Sequence, residues 1–210
     1  MAASVQSRGP EGAWAWLNFH YEPWESTESA YYGAALAALA VGTAPGAYAS
    51  APEIQEPLQS LRDYLRLGIE RQGLFNQLTV VWASTTLPGL LTPVERQAIL
   101  DTAVSRQKAD GGWSMSSLGA WPRVDGSAPD TDSDGYATGF VAVVLRQADA
   151  ARSAAHETKA IAWLVQHQDP ATGRWWTASL NKARDPASDA GKFMSDAATA
   201  YAVLALIEPR

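Results

Sequence analysis

The sequence predicts an all-α protein, an incomplete double layer with charge-free helices inside and amphipathic helices outside. Three observations carry this. The chain repeats itself: Trp113 and Trp175 are 62 residues apart, and Ser117-Leu118 recurs as Ser179-Leu180 and Ser133-Asp134 as Ser195-Asp196 at the same offset. Upstream, Glu95 and Ala98-Ile99 recur as Glu157 and Ala160-Ile161. A fixed period of this length marks a stacked supersecondary unit. Two kinds of helical segment alternate along the chain. No run of alternating Val, Ile and Thr is long enough to make a sheet.

Taken in order, Gly9-Pro10-Glu11-Gly12-Ala13-Trp14 reads as the end of a repeat whose outer helix is missing. Ser29–Gly42 is free of charge, with Glu28 at its start. Glu53–Gln72 is amphipathic. Leu58, Leu61, Leu65 and Ile69 form one stripe, and Arg62, Asp63, Arg66 and Glu70 lie off it, as in a half-exposed helix. Leu74–Leu87 is again uncharged. Thr92-Pro93, an N-cap followed by proline at the first helical position, opens the amphipathic Pro93–Lys108. Asp110-Gly111-Gly112 breaks it. Ser133-Asp134 opens the uncharged Gly135–Leu145, His156–Gln168 is amphipathic, and Ser195-Asp196 opens the uncharged Ala197–Ile207. A helix without charge is wrapped by protein, so these four are the inner layer. Two long loops, Trp113–Thr131 and Trp176–Met194, join outer to inner helices, and loops of such length are often functional. The count is seven helices in one domain over 1–210, with repeat units near 9–52, 93–147 and 155–210.

Composition narrows the function. An apolar content of 47% with 18% charged residues suits a packed core in 210 residues. The net charge of −6 gives a nucleic-acid partner no electrostatic support. Cysteine is absent, which excludes disulfides, thiolate nucleophiles and Cys-based zinc sites. No stretch reads as a membrane span, and none reads as a signal peptide. Nine Trp are many for this length, and indoles line pockets for apolar or sugar ligands as well as cores.

Gln107-Lys108-Ala109-Asp110-Gly111-Gly112-Trp113 is the most specific motif, and Gln168 to Trp175 is a second copy with one residue inserted. These segments resemble the Gln-Trp repeat of squalene and hopene cyclases. The resemblance implies an α/α toroid, here an open arc of a ring that needs more helices to close and therefore the C-terminal part of a longer chain. It implies that Gln107, Asp110, Gly111, Gly112, Trp113, Gln168 and Trp175 tie one repeat to the next. It also implies an apolar polyisoprenoid as ligand, no cofactor, and contact with a membrane surface at most. The related prenyltransferase branch holds zinc through Asp, Cys and His; with no Cys and only His20, His156 and His167, this chain cannot supply that set.

The resemblance further implies an acid that protonates an alkene or epoxide, the central carboxyl of an Asp-x-Asp-Asp motif at the start of an inner helix. The matching place reads Asp130-Thr131-Asp132-Ser133-Asp134-Gly135. Asp132 takes the central position, with Asp130 and Asp134 tuning it, although Ser133 replaces the last Asp. The repeat offers a plainer reading: Asp134 recurs as Asp196 and is a helix-start residue, whereas Asp130 and Asp132 map to Lys192 and Met194 and belong to the first copy alone. A third reading is a calcium loop, but its twelfth position is Val141 instead of Glu, and no metal is expected. Tyr31, Tyr32 and Phe140 on inner helices, and Trp121 at the rim, are the candidates to face a cavity and steady a cation; packing between helices is the alternative for each. Besides a cyclase-like protein, the sequence allows a non-catalytic binding or scaffold arc. It also allows a polysaccharide-active toroid, which needs a groove lined by carboxylates and Trp.

Overall fold

A computed structural model of the chain describes residues 12–16 and 29–207. The protein is all-helical, and no strand forms among the described residues. The helices are α1 (Ser29–Thr43), α2 (Gln55–Gly68), α3 (Leu74–Ser84), α4 (Pro93–Ser105), α5 (Met115–Leu118), α6 (Gly135–Gln166) and α7 (Asp189–Leu206). Short 3₁₀ turns at Tyr48–Ser50, Pro52–Ile54 and Ile69–Arg71 lead into and out of α2.

The charge-free α1 and α3 pack together, α3 packs on α6 and α6 on α7, while α2 flanks α1 and α4 flanks α3 and α6; charged residues enter α6 beyond Leu145 and α7 at Asp189, Lys192 and Asp196. In α2, Leu58, Leu61 and Leu65 are buried as the stripe requires, and with Val80, Ala83, Leu87 and the Ala34–Ala35–Ala38 face of α1 they form one apolar cluster. A larger cluster joins Phe75 and Leu78 of α3, Leu100 of α4, the run from Tyr136 to Leu145, Trp113 and Trp175. The α6–α7 contact is close because Gly139 has no side chain: a Cβ there would lie 2.6 Å from the backbone of Tyr201 and Ala202.

The start of α4 forms as the sequence implies. Thr92 Oγ1 accepts from the Glu95 N–H at 3.2 Å, and Glu95 accepts from the Thr92 N–H at 2.7 Å, a complete capping box. That bond holds the Glu95 carboxyl below its ordinary range.

Three expectations need correction. The segment between Leu145 and His156 was expected to connect two helices. Instead it is helical, so inner and outer helix merge into α6, with only Asp149 off helical geometry (φ −160, ψ 67). Arg146 to Ala155 is Ala-rich and lacks Gly and Pro, so nothing stops the helix. Asp149 Oδ1 accepts from the Arg152 N–H at 3.3 Å and caps the second limb. At the other end, α7 starts at Asp189, because Ser188 Oγ accepts from the Gly191 N–H. Ser195 and Asp196 are therefore inside α7, and Ser195 Oγ donates to Gly191 O. Finally, Ala197–Ile207 is not wrapped on all sides: Ala198, Ala202 and Ala205 are buried, whereas Val203, Leu204 and Ile207 are exposed. Glu28, and the opening from Gly9 to Glu11, lie outside the described residues.

Candidate functional site

The tryptophans of the two Gln-Trp copies form the same joint, whereas of the glutamines only Gln107 reaches the next unit, a correction to the expectation for Gln168. Trp113 is fully buried and its Nε1–H donates to Ala103 O, a last-turn carbonyl of α4, at 2.8 Å. Trp175 Nε1–H donates to Leu164 O, in the last turn of α6, at 2.7 Å. Each backbone N–H then meets a threonine of the following helix: Trp113 donates to Thr138 Oγ1 at 3.0 Å and Trp175 to Thr199 Oγ1 at 3.2 Å. Orphan carbonyls at a helix end are thus satisfied by an indole that also fills the core. Gln107 Nε2 donates to Gly111 O at 2.8 Å and to His156 O at 2.9 Å, and its Oε1 accepts from His156 Nδ1, so it ties one repeat to the next. Gln168 Nε2 donates to Gly173 O within its own turn. Asp110 accepts from the Gly112 N–H, Ser133 Oγ and Trp163 Nε1. Burial alone would raise the Asp110 carboxyl, but these donors and Lys108 bring it below the ordinary range. Gly111 sits at φ +94, where a Cβ would lie 2.8 Å from Lys159 O.

The three candidate acids separate. Asp134 is the N-cap of α6. Its carboxyl accepts from the Ala137 N–H at 2.9 Å, the Met115 N–H at 2.7 Å and Thr177 Oγ1 at 3.0 Å. Burial pushes this carboxyl above the ordinary range, and the donors pull against it without cancelling the rise. Asp130 is exposed and bound to Arg123 at 2.5 Å. Asp132 is exposed. All three line a cleft of about 650 Å³ together with the polar Ser133, Thr177 and Arg184 and the apolar Trp176, Ala178, Pro186 and Met194. They do not converge as metal ligands: no such group of three exists among the described residues.

The candidate aromatics pack against protein. Tyr31 faces the outer layer, donating its hydroxyl to Leu65 O at 2.6 Å and lying beside Tyr64. Tyr32 and Phe140 both rest on Phe75, with ring centroids 5.3 and 5.0 Å away. Trp121, expected at a rim, is buried edge-on to Phe75. Trp14 and Trp16 are exposed, and Trp24 lies outside the described residues. Tyr136 and Tyr201, which the sequence reading passed over, complete this aromatic end at 4.8 Å from each other. Burial raises the phenols of Tyr32, Tyr136 and Tyr201, so all three stay neutral.

Arg123 was also missed. Its side chain is only 5% exposed. The guanidinium donates to Ser179 O from both Nε (3.1 Å) and Nη2 (2.7 Å) and to Ala128 O. Next to it, the Val124 N–H donates to Asn181 O and Asp125 accepts from the Ala183 N–H, each at 2.8 Å. The two long loops are therefore fastened together over three successive residues and form one wall of the cleft. The repeat itself was the available signal, since Ser179 is the counterpart of Ser117.

No helix among the described residues is long and apolar enough to cross a membrane. No protein-family model matches the chain, and no curated protein matches it.

Proposed function

We propose that the chain is an arc of a terpenoid-cyclase-like α/α toroid whose cleft presents an acid to an alkene-bearing apolar ligand. Asp134 is the acid in this reading, in place of Asp132. The observation that carries it is a half-buried carboxyl at the start of α6, whose first limb Gly135–Leu145 carries no charge, raised by burial, in a cleft lined in part by Trp176, Ala178, Pro186 and Met194. In its protonated form, which burial favours, this carboxyl can deliver its proton to a double bond, and the carboxylate left behind attracts the resulting cation. Asp132 adds negative charge nearby. Arg123 neutralises Asp130 and holds it to the wall.

A second reading has its own support. The cleft's lining also holds Trp176, Arg184, two exposed carboxylates and three hydroxyls, the groups that a sugar chain needs. A long-chain tertiary amine separates the two. At neutral pH it carries the charge that a protonated alkene would. Trp fluorescence should report saturable binding, weakened about tenfold, or about 1.4 kcal/mol, by Asp134→Asn, and no competition from a soluble oligosaccharide. Equal affinity in Asp134→Asn rejects the acid assignment; competition by the oligosaccharide selects the second reading.

A further inference from the structure

We propose that the Thr177 hydroxyl carries the proton from Asp134 to the ligand in the cleft, a step that rests on the reading of Asp134 as the acid. Asp134 and Thr177 both line this cleft. Thr177 Oγ1 donates to Asp134 Oδ1 at 3.0 Å. The same oxygen accepts from the Ala137 N–H, and Oδ2 accepts from the Met115 N–H at 2.7 Å. The two backbone groups can only donate. A hydroxyl donates and accepts, so Thr177 is the one of these three partners that can turn round when the carboxyl is protonated.

The repeat separates this hydroxyl from the architecture. Met115 and Thr177 are 62 residues apart, each two places beyond its joint tryptophan. Both reach Asp134, because the Asp134 N–H donates to Trp113 O and the Gly135 N–H to Trp176 O, each at 2.9 Å. The first copy gives Asp134 a main-chain N–H, and the second adds a side-chain hydroxyl that Met115 cannot match. The cap of α6 needs no hydroxyl, since the Ala137 N–H already occupies Asp134. The other hydroxyls of the cleft are turned elsewhere: Ser133 Oγ donates to Asp110 and Ser179 Oγ to Asn181.

The transfer balances at each atom. With Asp134 ionised, the Thr177 proton points at Oδ1. With Asp134 protonated there, the acid proton points at Thr177 Oγ1 and the Thr177 proton turns into the cleft. When an alkene takes that proton, its π pair forms the new C–H bond and the Thr177 O–H bond breaks. Thr177 Oγ1 takes the Asp134 proton in the same step, so the negative charge comes to rest on the carboxylate and not on the hydroxyl. The 3.0 Å hydrogen bond is then remade. Water protonates Asp134 again by the same path. Burial of Asp134 both favours its protonated form and withdraws its oxygens from solvent, whereas Thr177 stands within the run 176–179 that lines the cleft.

Decyl vinyl ether tests the step, because its hydrolysis begins with protonation of the double bond and ends in decanol and acetaldehyde. The unaltered chain should turn it over, and Asp134→Asn should not. Thr177→Val should lower kcat about a hundredfold at an unchanged KM, with unchanged circular dichroism, and Thr177→Ser should restore it. An equal kcat in Thr177→Val, or no rescue by Thr177→Ser, overturns the relay and leaves Asp134 as the acid. No turnover by the unaltered chain, or full turnover by Asp134→Asn, overturns both.

Discussion

Asp134 shows how one residue can hold two roles. As an N-cap it satisfies Ala137 at the start of α6, and as a half-buried carboxyl it faces the cleft with a raised affinity for its proton. Asn keeps the Ala137 cap with its one oxygen, while its amide nitrogen no longer accepts from the Met115 N–H. Trp113 is purely architectural by contrast. Trp113→Phe keeps most of the apolar area but leaves Ala103 O without the indole donor, and chemical denaturation should show a loss of about 1–3 kcal/mol. Gly111→Ala places a side chain at φ +94 against Lys159 O. It should lower the melting point by an amount corresponding to more than about 1 kcal/mol. Asp125 gives a pH signature. Hydrogen bonds from the Ser127 hydroxyl and the Ser127 and Ala183 N–H groups depress its carboxyl to about 2. A depressed carboxyl stabilises the fold above its unfolded value, near 4, and loses that contribution as pH falls toward 2. Melting curves of Asp125→Asn should therefore lack part of the acid-induced drop that the unaltered chain shows in this window.

At the scale of the element, the helices that the sequence shows plainly are those bounded by punctuation. Thr92-Pro93 starts α4, and Thr92→Ala should cost about 1 kcal/mol by removing the capping box. Asp110-Gly111-Gly112 ends the same unit, and the Leu58–Leu61–Leu65 stripe announces the buried side of α2. Where punctuation is absent the pattern fails. Arg146 to Ala155 contains only tolerated helix residues, so the merger of two helices at Asp149 leaves no trace in composition. The start of α7 was obscured for the opposite reason: Ser195-Asp196 copies a cap that Ser188 supplies seven residues earlier. The site was legible in part. The sequence located the acidic segment and the joints, but burial, which distinguishes Asp134 from Asp132, depends on Met115 and Thr177, residues distant along the chain. The Arg123 clamp is equally non-local, joining loops 56 residues apart.

For the whole molecule, the two joints make the chain a row of inner helices with outer helices bound to it at repeated points. This construction leaves the loops at the helix starts as the natural place for a cleft, and the Arg123–Ser179 contacts fix the two loops relative to each other. The proposed acid chemistry requires burial to outweigh the hydrogen-bond donors at Asp134. The direct measurement is a pH titration of the Asp134 carboxyl carbon by nuclear magnetic resonance, assigned against Asp134→Asn. The midpoint should lie above the ordinary aspartate value near 4. A midpoint below it would make Asp134 a helix cap alone and remove the proton donor from the cleft.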